Sequence, residues 1–157
     1  MIHRTLSLCL VATALIALPA PAAAQAPQGV WVWDDGRAAV EFHPCQDALC
    51  GRIVWLKADA APATPMLDAK NPVAALRQRP VCGIDYITGV KRAGPGKWKG
   101  GRVYDFNSGN SYDLDIDTIE PARVTMRGYK GLRLFGANLI LVRPKSDLPR
   151  CPGATGN

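Results

Sequence analysis

The chain predicts an all-β fold: an eight-stranded antiparallel up-and-down barrel with one short helix in a long loop. Three observations carry that expectation. Short apolar or alternating runs recur over residues 30–143, turn residues separate them at hairpin-sized intervals, and one Ala/Pro-rich excursion over 58–81 breaks the rhythm. Eight sequential antiparallel strands close into a small barrel, because closure removes the exposed sheet edges. A barrel of this size either fills with its own side chains or holds one small ligand.

Ahead of the strands, His3 and Arg4 precede an apolar run over 6–18, which Pro19-Ala20-Pro21 breaks. Ala22-Ala23-Ala24 has the small-x-small pattern of a signal-peptidase site, so residues 1–24 read as a cleaved leader and 25–157 as a single barrel domain. The apolar run is too short for a comfortable permanent span and no second one follows, so the chain is not expected to cross a membrane. A periplasmic or secreted bacterial location is expected.

The strands then follow in order. Residues 30–33 form the first, and Asp34-Asp35-Gly36 turns it. Residues 38–43 alternate, 44–49 make the next turn, and 51–57 form the third strand. In the excursion, Asn71-Pro72 reads as an N-cap followed by proline at the first helical position, giving a two-turn helix from 72 to 77 or 78 before Pro80. Strands resume over 82–90, 97–104 and 111–117. In the last of these Tyr112, Leu114 and Ile116 face one way and Asp113, Asp115 and Asp117 the other. Residues 122–129 and 132–143 complete the set.

Loss of the leader removes Arg4 and leaves 18 basic against 13 acidic residues, a net +5. The surplus suits solubility first and an anionic envelope component as a second partner. The basic residues form no long run, so nucleic acid is not an expected partner. Cys45, Cys50, Cys82 and Cys151 survive processing, an even number in an oxidising compartment. Of the three pairings four cysteines allow, we favour Cys45–Cys50, closing a tight turn, with Cys82–Cys151, tying down the C-terminal tail. On the chain-entropy model the short loop contributes about 2 kcal/mol and the long one roughly twice that. No Cys-x-x-Cys exists and His43 is the only histidine after the leader, so no metal or other cofactor is expected. Asp113-x-Asp115-x-Asp117 lacks the turn glycine and the closing glutamate of a calcium loop, and strand alternation explains it better.

Gly29-Val30-Trp31 opens the first strand as Gly-x-Trp and Arg143 ends the last. This pairing resembles lipocalin-like (calycin) barrels, and the resemblance implies a cation over an indole face sealing the closed end. The middle of the chain carries a denser set: Cys45-x4-Cys50-Gly51-Arg52-Ile53-Val54-Trp55-Leu56, Leu67-Asp68-x-Lys70-Asn71-Pro72, Leu76-Arg77-x-Arg79-Pro80-x-Cys82-Gly83, Trp98-x-Gly100-Gly101-x-Val103-Tyr104-Asp105, Gly109-x-x-Tyr112 and Arg127-Gly128-Tyr129-x-Gly131. In this order the set resembles an exported bacterial family catalogued as domain of unknown function 2147. It covers nearly all of residues 29–143 and implies a lipocalin-type barrel; the family has no established activity. Two positions depart from its pattern. Phe106 stands where the family tends to have proline, and Leu141 where it tends to have tryptophan.

Candidate binding residues are Trp55, Tyr86, Tyr104 and Tyr129 as strand aromatics with polar tips, and Asp68, Asn71, Arg77 and Arg79 on the excursion. Arg127 joins them as a cation that faces inward to an anionic headgroup or outward to an acidic neighbour. Each has a plainer reading. The aromatics fill a core, while Asp68 pairs with one arginine and Asn71 caps the helix, pinning the loop. No Gly-x-Ser-x-Gly, His-Glu-x-x-His or phosphate loop is present, so a catalytic role is not expected. The expected function is the holding of a small apolar or amphipathic ligand, lipid-derived in one version. The alternative is a filled barrel whose basic exterior docks on an envelope partner. Cavity volume separates the two, since a ligand pocket needs about 300 Å³ or more.

Overall fold

Alternation along each strand places one row of side chains on a common interior, and the computed structural model shows which row. It describes residues 26–57 and 65–152. The expected leader and most of the Ala/Pro-rich loop lie outside the described residues. The strands are β1 (Val30–Trp33), β2 (Ala38–Cys45), β3 (Ala48–Leu56), β4 (Asp85–Gly94), β5 (Lys97–Asp105), β6 (Asn110–Ile119), β7 (Arg123–Tyr129) and β8 (Ala137–Val142). Each pairs antiparallel with its neighbour in sequence. β8 returns to β1 through Val32↔Val142 and Trp33↔Leu141, so the barrel is closed.

The lower half of the barrel is solid. Trp31, Val40, Ile53, Ile87, Leu114, Ile116, Met126 and Leu141 are all buried there, one or two from every strand except β5. Leu141 is a packed core residue, so its departure from the family pattern is absorbed by the interior. Below them the Arg143 guanidinium lies 3.7 Å from the Trp31 ring. Arg143 also donates to the carbonyls of Gln28 (2.7 Å) and Pro121 (3.2 Å), and the Trp31 indole donates to the same Gln28 carbonyl at 3.1 Å. The backbone of Gly29 (φ +74°) passes so close that a Cβ there would sit 3.4 Å from Arg143 Nη1. The seal implied by the resemblance is present at the closed end.

Cys45 and Cys50 stand at disulfide distance (Cα–Cα 5.7 Å), as do Cys82 and Cys151 (6.3 Å). The second pair lays the tail across the outside of β1–β3, where Cys151 N–H donates to the Val54 carbonyl and Leu148 covers Val54 and Ala39.

Element boundaries differ from expectation in four places. The turn expected over 44–49 shrinks to Gln46-Asp47, because Gln46 adopts φ +53° and lets β2 and β3 pair to Cys45↔Ala48. The fourth strand begins at Asp85, since Gly83 and Ile84 bond to both backbone groups of Ile53 as a crossing segment. The two-turn helix is a single 3-10 turn, Ala74–Leu76. Asn71 does not cap it: its Oδ1 accepts from Val73 N–H two residues on, an Asx-type turn that competes with helix start. The last strand begins at Ala137, because Arg133–Phe135 coil into a second 3-10 turn.

Candidate functional site

Among the described residues none fills the upper half of the barrel. A cavity of about 710 Å³ opens at the end opposite the Trp31–Arg143 seal. Its floor is Tyr86, Val103, Gly128 and Leu139, and its wall includes Trp33, Leu56 and Tyr112. The rim comes from the β1–β2 turn (Asp35, Arg37), the end of β3 (Lys57), Met66 of the excursion, the β5–β6 turn (Asp105, Phe106, Asn107) and the β7–β8 connection (Lys130, Phe135). All four tyrosines of the chain line this space, together with Trp33, Phe106 and Phe135. Phe106, the other departure from the family pattern, thus contributes a ring to the cavity wall.

One polar atom in the cavity lining stands out. The Tyr86 side chain is 2% exposed, its ring lies 5.8 Å from that of Trp33, and no hydrogen bond of proper geometry closes on its hydroxyl. Burial drives its ionisation far above the ordinary tyrosine value, against a small opposing influence of Trp33, so the hydroxyl stays neutral. Tyr129 is also shifted upward, first by burial and then by the carboxylates of Asp115 and Asp113.

The excursion is pinned beside the cavity by Asp68, which is fully buried. Asp68 Oδ1 accepts from the Tyr104 hydroxyl at 2.5 Å, while Oδ2 accepts from Asn71 Nδ2 (2.7 Å) and Arg79 Nε (3.0 Å). Burial works to raise the Asp68 carboxyl, but hydrogen bonds from Tyr104, Asn71 and Arg79 outweigh it and hold the group below its ordinary range. The same arrangement pushes Tyr104 up to about 12, through burial and then its bond to Asp68. Arg77 is turned back as well, donating from Nε to the Asn71 carbonyl at 2.8 Å. The backbone bridge Leu67↔Pro80 closes the base of the excursion.

The residues singled out from the sequence therefore divide. Tyr86, Tyr104 and Tyr129 reach the cavity. Asp68, Asn71, Arg77 and Arg79 do not line it; they hold the excursion in place, with Asp68 paired to Arg79 as the plainer reading had it, while Asn71 bonds to Asp68 and turns the backbone at Val73 instead of capping the helix. Trp55 lies outside this cavity and lines a smaller outer pocket with Leu148 and Arg150 instead. A bulge between Ala39 and Val40 pairs Trp55 with Ala39 on the outer face, beside Leu148 of the tail. Arg127 is also outside the cavity. It shares the outer face of β7–β8 with Asn138, bonds to Asn138 Oδ1 at 2.9 Å, and caps the carbonyls of Arg133 and Leu134. Asp115 and Asp117 face outward as expected, yet Asp115 is buried because Arg133 folds over it (3.0 Å) and also grips Asp117. Trp33, Met66 and Phe135 were missed as lining residues. Trp33 carried a usable signal, since it lies two residues from Trp31 on the same strand face.

With this geometry in view, a family model described as "Uncharacterized protein conserved in bacteria (DUF2147)" matches residues 29–143. Among solved structures, protein HP1028 from the human pathogen Helicobacter pylori, described as belonging to the lipocalin family, superimposes with a TM-score of 0.67. It is 18% identical, and the match covers 76% of this chain and 84% of that one. No curated protein matches the chain. The structural likeness speaks to the barrel fold alone. Among the described residues no helix is long and apolar enough to cross a membrane.

Proposed function

Because the chain belongs to the DUF2147 family and folds as a lipocalin-like barrel, we propose that it is an exported carrier of one small amphipathic molecule, held in the open half of the barrel. The observation that carries the proposal is the 710 Å³ aromatic cavity. That volume falls well inside the usual span for ligand pockets, about 300–1,000 Å³. The alternative of a solid barrel acting through its exterior fits the closed half only.

The lining supports an amphipathic ligand. Trp33, Phe106, Leu139 and the tyrosine rings offer apolar contact, which favours a hydrocarbon or ring body. The Tyr86 hydroxyl is closed off behind the lining, so Tyr86 adds its ring to the apolar floor rather than a hydrogen bond. Lys57 and Lys130 on the rim suit a negative group left at the mouth. A lipid fragment with an apolar body and an anionic end meets both demands. Two disulfide pairs are compatible with action outside the cytoplasm.

Native mass spectrometry of the protein purified gently from its own envelope is the test. The expected result is a reproducible excess mass that leaves on denaturation. A bare mass, together with no uptake of a fluorescent fatty-acid analogue by the delipidated protein, would sink the carrier reading.

A further inference from the structure

We propose that the open end of the barrel docks on an anionic lipid surface, with the 130–135 connection as its apolar tip. Three large apolar side chains stand in solvent there: Leu132 is 67% exposed, Leu134 80% and Phe135 79%. Their exposure is built into the fold. Arg127 donates to the carbonyls of Arg133 (3.3 Å) and Leu134 (3.0 Å), clamping the backbone of the connection from below. Arg133 itself is anchored on Asp115 and Asp117. Two arginines thus hold a short 3-10 turn rigid while its apolar side chains point away from the barrel. Met66, 51% exposed, continues the apolar surface on the excursion side of the same mouth.

The charge on this rim selects the occupant. Lys130 stands two residues before Leu132, and Lys57 stands on another part of the mouth. Among the described residues neither has an ion-pair partner. The rim carboxylates are already engaged. Asp35 is bound by Arg37 at 2.8 Å, and Asp105 is turned into its own hairpin, accepting from Asn107 N–H and the Ser108 hydroxyl. Large apolar side chains flanked by ammonium groups that pair with no described carboxylate match the interfacial zone of a bilayer that carries anionic headgroups. An apolar protein groove would cover the leucines and the phenylalanine but leave the lysines uncompensated. Phe135 both lines the cavity and projects from the tip, so docking there brings the mouth against the lipid. The docking draws on the same two lysines that the proposed ligand's anionic end would meet, so the delipidated protein is used in its test.

Vesicle flotation with the delipidated mature protein tests this, using phosphatidylcholine vesicles with and without phosphatidylglycerol. Binding is expected to the mixed vesicles only, and to weaken as salt screens the surface. The double variant L134S/F135S should lower partitioning by about tenfold or more. Lys130→Glu should lower it by about fivefold or more. Leu134→Trp, whose fluorescence should shift to the blue on mixed vesicles, reads the tip directly and controls for misfolding. Three results overturn the proposal: no flotation with either vesicle, flotation that L134S/F135S leaves unchanged, or a concentration-dependent dimer that L134S/F135S abolishes in a protein that ignores lipid.

Discussion

The two ends of one barrel solve opposite problems with the same kinds of residue. At the closed end Trp31 is buried, its indole is hydrogen-bonded, and Arg143 lies over its face. At the open end Tyr86 is equally buried, but its hydroxyl has no hydrogen bond and its ring borders empty space. The contrast lies in the voids more than in the polar atoms, since among the described residues Trp98 Nε1 at the closed-end start of β5 is also buried without a partner, while only the open end holds a cavity of ligand size. The contrast extends to arginine. Arg143 and Arg79 are consumed by internal contacts, and Arg127 and Arg133 serve to hold an apolar loop away from the core. In this chain arginine positions backbone, and lysine is left at the mouth.

If the closed end is the stabilising half, its loss should be the most damaging. Trp31→Ala should cost about 3–5 kcal/mol in urea unfolding, through lost burial and an unfilled space under Arg143. A cost below about 1 kcal/mol would break the division between a structural and a functional end.

Asp68→Asn should come next, at about 2–3 kcal/mol, because it leaves Arg79 without its carboxylate while that arginine still reaches solvent. The effect should concentrate in the excursion and appear as faster hydrogen exchange at Val81 N–H, which bonds to the Met66 carbonyl. The pH dependence has a definite sign. The folded Asp68 carboxyl lies below its ordinary value, so its contribution is present above about pH 4 and is lost as pH falls through the folded value. The wild-type melting temperature should therefore fall more steeply with acid than that of Asp68→Asn. Parallel curves would remove Asp68 as the pin.

The smallest effect sharpens the comparison most. Tyr86→Phe removes a buried hydroxyl that has no partner, so stability should stay level or rise by about 1 kcal/mol. A clear loss of stability instead would show that the hydroxyl is satisfied in the empty protein.

Much of the closed end was legible because its causes are local. Gly29-x-Trp31 and Arg143 lie at opposite ends of the chain, yet each marks the end of a strand, and strand order alone brings them together. The cysteine pairs likewise follow from one short turn and one tail. The open end was legible only in part. The cluster at 68–79 was visible as dense polarity, and local pairing correctly described it; its fourth member, Tyr104, sits 36 residues from Asp68 and gave no sign of joining it. Leu132-x-Leu134-Phe135 read as the start of a strand, since apolar residues after a glycine suit either a strand or an exposed turn.

The sequence by itself determined the number of strands, their antiparallel order, the closed barrel and the residues that seal it. The strands and their order rest on period-two alternation and turn chemistry, which act between near neighbours, while the seal was implied by the resemblance to lipocalin-like barrels. Only the tertiary structure decided which face each aromatic occupies and whether the barrel is filled. A bulge at Ala39/Val40 is enough to send Trp55 outward, and one-residue shifts of that kind flip side chains between core and surface. The cavity has the same origin. Its volume is the difference between the ring closed by eight strands and the side chains that point into it, a sum over partners far apart in the chain.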